Sequence, residues 1–166
     1  MDTERARTFL LSLPHVAETM QWGANLVFWA GDKRIGGKMF ALIDLEPGAH
    51  GQISYAAGPE RFHELIERDG LRPAPYMARI FWVAADHWSV FRHTEWQNEL
   101  RAAYDLTFAK LPKRTRDVLA LPEREQRRIL AERDKLLTAQ AAKKAAAKQQ
   151  GKPTARPRHT KAAASK

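Results

Sequence analysis

Arg72, Tyr76, Arg79 and Trp82 interleave cations with aromatic rings, the combination that pairs with phosphates while stacking on bases. A second constellation, Gly31-Asp32-Lys33-Arg34-Ile35-Gly36-Gly37-Lys38, joins glycines that let backbone amides approach an anion to three cations, Lys33, Arg34 and Lys38. It is not a nucleotide-binding P-loop. The outer glycines stand one residue too far apart, Met39 occupies the place of the Ser or Thr that would hold magnesium, and a strand pattern follows where a helix N-terminus is required. As a hairpin tip it would bring Lys33, Arg34 and Lys38 to a phosphate backbone; as a solvated turn it would do nothing. The aromatic group also has a plain alternative, with Trp82 in the core under Tyr76 and the arginines paired with Glu64, Glu67 or Asp69.

Other chemistries find little support. The chain has no Cys, which excludes disulfides, thiol nucleophiles and Cys-ligated metals. His87 and His93, beside Asp86 and Glu95, match no metal-ligand spacing, and His15, His50 and His63 are isolated. Ser12, Ser54 and Ser89 lie in no nucleophile elbow, and Glu60, Glu64 and Glu67 belong to a helix whose solvent face needs charge. The expectation is a protein that is not an enzyme and has neither cofactor nor metal.

Charge divides sharply along the chain. Residues 1–111 hold 12 Lys or Arg against 14 Asp or Glu, a net of −2, whereas residues 112–166 hold 16 against 5, a net of +11. From Thr138 onward there are eight cations and no acid, in a texture of Ala, Lys, Gln and Pro that has almost nothing to bury. Such an arm captures phosphate chains by counterion release, without sequence choice. Its contact residues would be Lys143, Lys144, Lys148, Lys152, Arg156 and Arg158, with Lys113, Arg114 and Arg116 forming a second basic patch at the domain edge.

These groups must be positioned by a folded body. Apolar spacing predicts a helix over Thr3–Ser12, stopped by Pro14. Short β-rich runs follow at Glu18–Trp22, Leu26–Ala30, Lys38–Leu45 and Gln52–Ala57, with a tight turn expected at Gly31-Asp32. A helix opens at Pro59 and closes at Asp69-Gly70; Leu71–Pro75, with its two prolines, reads as extended loop, and Ala78–Val83 alternates as a fifth strand. Thr94 and Gln97 form a capping-box pattern before a helix that runs to Pro112, and a basic helix from Pro122 persists toward Lys148. The fold class is α+β: a two-layer sandwich, an antiparallel sheet of about five strands with helices on one face, and a basic C-terminal tail that is part helix and part disordered.

Several segments together resemble the MmcQ/YjbR-like family: Leu13-Pro14 with Val16, Glu18 and Thr19; Trp22-Gly23; Val27-Phe28; Gly37-Lys38-Met39-Phe40-Ala41; and above all Arg72-Pro73-Ala74-Pro75-Tyr76 with Ala78-Arg79 and Trp82-Val83. The resemblance spans about residues 5–115. It implies a frataxin-like (CyaY-like) fold and DNA binding of the kind described as a double wing, and it carries over no catalytic residues. The acidic ridge that serves iron in frataxins has no counterpart, since the first helix offers only Asp2 and Glu4 near its start.

The organisation expected is a domain over 1–115, a basic helical extension over 116–137 and a Lys/Ala-rich flexible tail over 138–166. Nucleic acid is the expected partner, DNA in preference to RNA. No stretch approaches the roughly 20 apolar residues of a membrane span, and the acidic opening Met1-Asp2-Thr3-Glu4-Arg5 is unlike a secretory signal. A monomer in the cytoplasm, associated with the nucleoid, is the expectation. The competing expectation is a protein-interaction or small-ligand module, working near Tyr76 and Trp82, with a passive solubilising tail.

Overall fold

The computed structural model describes residues 1–46 and 51–150, with only the helical backbone over 146–150. Asp2 caps the first helix, α1 (Thr3–Ser12), its carboxylate accepting the Arg5 amide at 2.9 Å. The chain then builds β1 (Val16–Gln21), β2 (Asn25–Ala30), β3 (Lys38–Asp44) and β4 (Ile53–Ala56), a continuous antiparallel meander. After α2 (Pro59–Ile66) come β5 (Leu71–Pro73) and β6 (Trp82–Ala85), followed by α3 (His93–Ala109), α4 (Lys113–Leu119) and α5 (Glu123–Gln150). Among the described residues the sheet has six strands in the order β1-β2-β3-β4-β6-β5, every neighbouring pair antiparallel.

The sequence reading missed one strand and misplaced another. Leu71–Pro73, expected as loop because of its prolines, is β5; it lies at the sheet edge and pairs only with β6, where a residue lacking an N–H is tolerated. Ala78–Ile80, expected to begin a strand, is a turn of 3-10 helix ended by Phe81 at φ 61°. Its amides are satisfied locally, Ile80 N–H by the Met77 carbonyl and Phe81 N–H by that of Ala78, so the strand starts only at Trp82. The alternation of apolar residues there reflects this turn, with Phe81 packed edge-on against Phe62 of α2.

The helices cover one face. Ala6 and Leu10 of α1 and Trp96, Leu100, Ala103 and Tyr104 of α3 meet Leu26, Phe28, Phe40, Ile43 and Tyr55 of the sheet in a single core. A bulge makes room for one of these: Phe28 pairs with Ala41 and Trp29 with Met39, leaving Phe40 as the extra residue, its ring edge-on to Tyr104. Two polar links set the register of the layers. Arg7 of α1 makes a paired contact with Glu18 of β1 at 2.7 and 2.9 Å, and the Tyr104 hydroxyl donates to the Pro14 carbonyl at 2.9 Å. The start of α3 differs from its expected Thr94 cap: the Glu95 carboxylate accepts the Arg92 amide at 2.7 Å, because the helix already begins at His93.

A smaller cluster of Ile35, Leu111 and Leu119, with Phe108, Val118, Ile129 and Leu130 against it, docks α4 and the start of α5 on the β2–β3 connection. Packing therefore continues beyond residue 115. The α5 backbone runs on to Gln150, with exposed side chains over the part that carries Lys143 and Lys144.

Candidate functional site

The β2–β3 tip is not a free wing. Instead of a tight turn at Gly31-Asp32, residues 33–35 form a turn of 3-10 helix, and Gly37 is pressed so close to the Gly31 carbonyl that a Cβ would stand 2.0 Å from its oxygen. Arg34 is held by Asp32, whose carboxylate accepts from its amide, Nε and guanidinium at 2.7 to 2.9 Å, and it approaches Asp134 of α5 at 3.8 Å. Burial opposes ionisation of Asp32, but these bonds from Arg34 outweigh it and hold the carboxyl below its ordinary range. Lys38 donates to the Lys110 carbonyl at 2.7 Å, and Lys33 lies 5.3 Å from the centre of the Trp29 ring. Each tip cation thus has a partner within the protein, Lys33 and Lys38 remain exposed, and the buried Ile35 ties the tip to the C-terminal helices.

The second group is also split. Trp82 is buried, as its strand position requires, but Tyr76 does not cover it: Tyr76 is 94% exposed. Arg72 pairs with Asp86 at 2.7 Å rather than with Glu64, Glu67 or Asp69, and Arg79 is exposed on the 3-10 turn. Lys113, Arg114 and Arg116 are exposed on α4, with Lys113 bonded to Asp117 at 2.9 Å. Lys143 and Lys144 are exposed on α5; of Lys148 only the backbone is described, and Lys152, Arg156 and Arg158 lie outside the described residues. Among the described residues no cluster has the composition of a metal site, and no helix is long and apolar enough to cross a membrane.

What the fold does assemble lies on the sheet face turned away from α1 and α3. One rung crosses all six strands, Thr19, Val27, Leu42, Ser54, Ala84 and Arg72 being successive partners. Strand periodicity puts Asn25 and Asp44, paired with each other, on that same face. The segment after β5 folds back across it, so Pro75, Tyr76 and Met77 face Trp22 of the β1–β2 turn over a cavity of about 560 Å³. Among the described residues, its remaining lining is Asn25, Met39, Leu42, Asp44 and Ser54.

Two rim residues occupy backbone conformations that non-glycine residues seldom adopt: Trp22 at φ 50° and Tyr76 at φ 63°. Both present large rings to solvent, Trp22 being 66% exposed. Below them Asp44 and Ser54 are only 9% and 4% exposed. The Asp44 carboxylate accepts the Glu46 amide at 2.9 Å, and the Asn25 side-chain amide donates to the Trp22 carbonyl at 2.8 Å, which braces the turn. Of this cavity the sequence reading put forward only Tyr76 as a binding residue. The available signal was the polar alternation of Asn25 and of Asp44 along strands whose other face is apolar, together with a tryptophan beside a turn glycine.

An α+β sandwich with one sheet face covered by helices and the other left as an aromatic-rimmed groove is the class these features define. The YjbR family model matches residues 11–106, and the chain belongs to the YjbR family. It is similar to the crystal structure of Deinococcus radiodurans protein DR2400, a protein of family-model domain DUF419. The two are 26% identical with a TM-score of 0.61, over 74% of this chain and 90% of that one. Comparison with the curated proteins finds no match.

Proposed function

We propose that this YjbR-family protein is a non-enzymatic, cytoplasmic nucleic-acid-binding protein whose basic C-terminal arm grips phosphate backbones, DNA above all, without sequence choice. The observation that carries this reading is the charge division, a net of −2 before residue 112 and +11 from there on. The geometry of the cations supports it. Arg34, Lys38 and Arg72 are engaged within the body, whereas Lys143 and Lys144 stand exposed on a stretch of α5 with no acid within reach along the helix. The body then serves to anchor and orient the arm through the contacts of Ile129 and Leu130 with Ile35, Leu111 and Leu119.

The test is duplex DNA binding across a salt series by the intact chain and by a full-length variant in which Lys143, Lys144, Lys148, Lys152, Arg156 and Arg158 are all Gln. The intact protein should show a steep log–log slope, from which each phosphate contact removed takes about 0.9. The variant should bind far more weakly and with a flatter slope. Equal binding by the two proteins, or no binding by the intact chain in dilute salt, would contradict the reading. A chain ending at Leu137 is a suitable companion, since it keeps the Ile129 and Leu130 contacts.

A further inference from the structure

We infer that the cavity on the open sheet face binds a small organic cation, specifically a primary ammonium carried on an apolar or aromatic body. The site is separate from the basic arm and does not depend on how the arm is used. Charge decides the sign of the ligand. Asp44 is the sole charged side chain among the described lining residues, so a phosphate or carboxylate entering the cavity would meet a like charge with no cation among those residues to offset it. An ammonium would meet the opposite charge on a side chain that is only 9% exposed.

The polar groups suit three donors. Glu46 uses only part of the accepting capacity of the Asp44 carboxylate, because an ionised carboxylate offers about four lone-pair positions. Asn25 directs its NH₂ to the Trp22 carbonyl, which leaves its side-chain oxygen as an acceptor. Asn25 and Asp44 are direct cross-strand partners, and Ser54 lies on the next strand as the partner of Leu42, two residues from Asp44 along β3 and on the same face. An –NH₃⁺ group has three donors and no acceptor, and the carboxylate, amide oxygen and hydroxyl of this lining are all able to accept.

The upper cavity suits the rest of such a ligand. Met39, Leu42, Pro75 and Met77 supply apolar wall, and the rings of Trp22 and Tyr76 add faces that attract cations and stack on planar groups. The volume, about 560 Å³, lies within the roughly 300–1,000 Å³ of small-molecule sites. Holding both rim aromatics at positive φ has a conformational cost, and residues kept so against their backbone preference cluster at ligand sites.

The experiment titrates the full-length protein with three probes that share one body: phenethylamine, phenethyl alcohol and phenylacetate. Binding is followed by tryptophan fluorescence and by NMR shifts of the backbone amides of Asn25, Asp44 and Ser54. Phenethylamine should bind with a Kd on the order of 1 mM, and the alcohol and the acid at least about tenfold more weakly. Asp44→Asn keeps an oxygen for the Glu46 amide but removes the charge, and should abolish the preference for the amine. Trp22→Asn, at a turn position Asn tolerates, should weaken the amine about tenfold. The inference is overturned if the alcohol or phenylacetate binds as well as the amine, if Asp44→Asn keeps the preference, or if saturating amine leaves those three amides unmoved. Should Asp44→Asn not fold, the probe comparison on the natural chain and on Trp22→Asn decides the matter alone.

Discussion

The Thr115 hydroxyl donates to the Ile35 carbonyl at 2.8 Å, joining groups 80 residues apart in the chain. Thr115 is 1% exposed, and this bond fastens the first turn of α4 to the tip of the β2–β3 connection. It converts what would be a projecting hairpin into part of the packed body.

Replacing Thr115 by Val keeps the shape and removes the donor, leaving the Ile35 carbonyl buried and unpaired. The expected loss is about 1–3 kcal/mol, read as a fall in Tm, with faster amide exchange at residues 33–37. Thr115→Ser should recover most of it. Gly36→Ala should be harmful for two reasons: its φ is 92°, and the new Cβ would stand 2.9 Å from the Thr115 hydroxyl oxygen.

Glu99 of α3, nearly buried, accepts from the Arg61 guanidinium of α2 at 2.5 Å and from the Tyr55 hydroxyl of β4 at 3.4 Å. Arg61→Ala would leave that carboxylate with one long hydrogen bond in its place. Because Arg61 itself is two-fifths exposed, the expected cost is about 1–3 kcal/mol, less than for a sealed pair. Chemical denaturation should show that adding Glu99→Leu to Arg61→Ala restores part of the loss, since the stranded charge is then gone.

Burial, and then the neighbouring Glu99 charge, push the Tyr55 hydroxyl well above its ordinary 10.0. The folded state therefore keeps this proton where the unfolded chain releases it. Stability from this group is complete below pH 10.0 and declines as the pH rises above that value toward the folded-state pKa. A series of Tm measurements on the alkaline side should show a decline that is shallower in Tyr55→Phe. The residual slope belongs in part to Tyr104, raised in the same sense chiefly by burial.

Trp22 is strained at φ 50° while its ring lies mostly in solvent. Trp22→Asn places a residue that tolerates this conformation before Gly23, so its stability should match or exceed the natural chain by up to about 1 kcal/mol. A clear loss of Tm would mean that the indole contributes more packing than its exposure indicates.

Much of this architecture was legible in local patterns. Apolar spacing and Pro14 delimit α1, the Pro59 start marks α2, and the β-rich runs between Val16 and Ala56 alternate as strands do, because helices and strands repeat side-chain direction every 3.6 and 2 residues. The acid-free C-terminal stretch and the charge division are properties of composition and need no fold to be read. Tertiary pairing alone determined the rest. Whether Leu71–Pro73 is loop or strand depends on an edge being open beside β6. Whether Arg34 and Lys38 face a ligand depends on Asp32, Asp134 and Lys110, two of them remote in sequence. The cavity is the extreme case. Trp22, Asp44, Ser54 and Tyr76 come from separate segments and meet only because strand order and the fold-back after β5 bring them to one face, a long-range geometry that no local periodicity encodes.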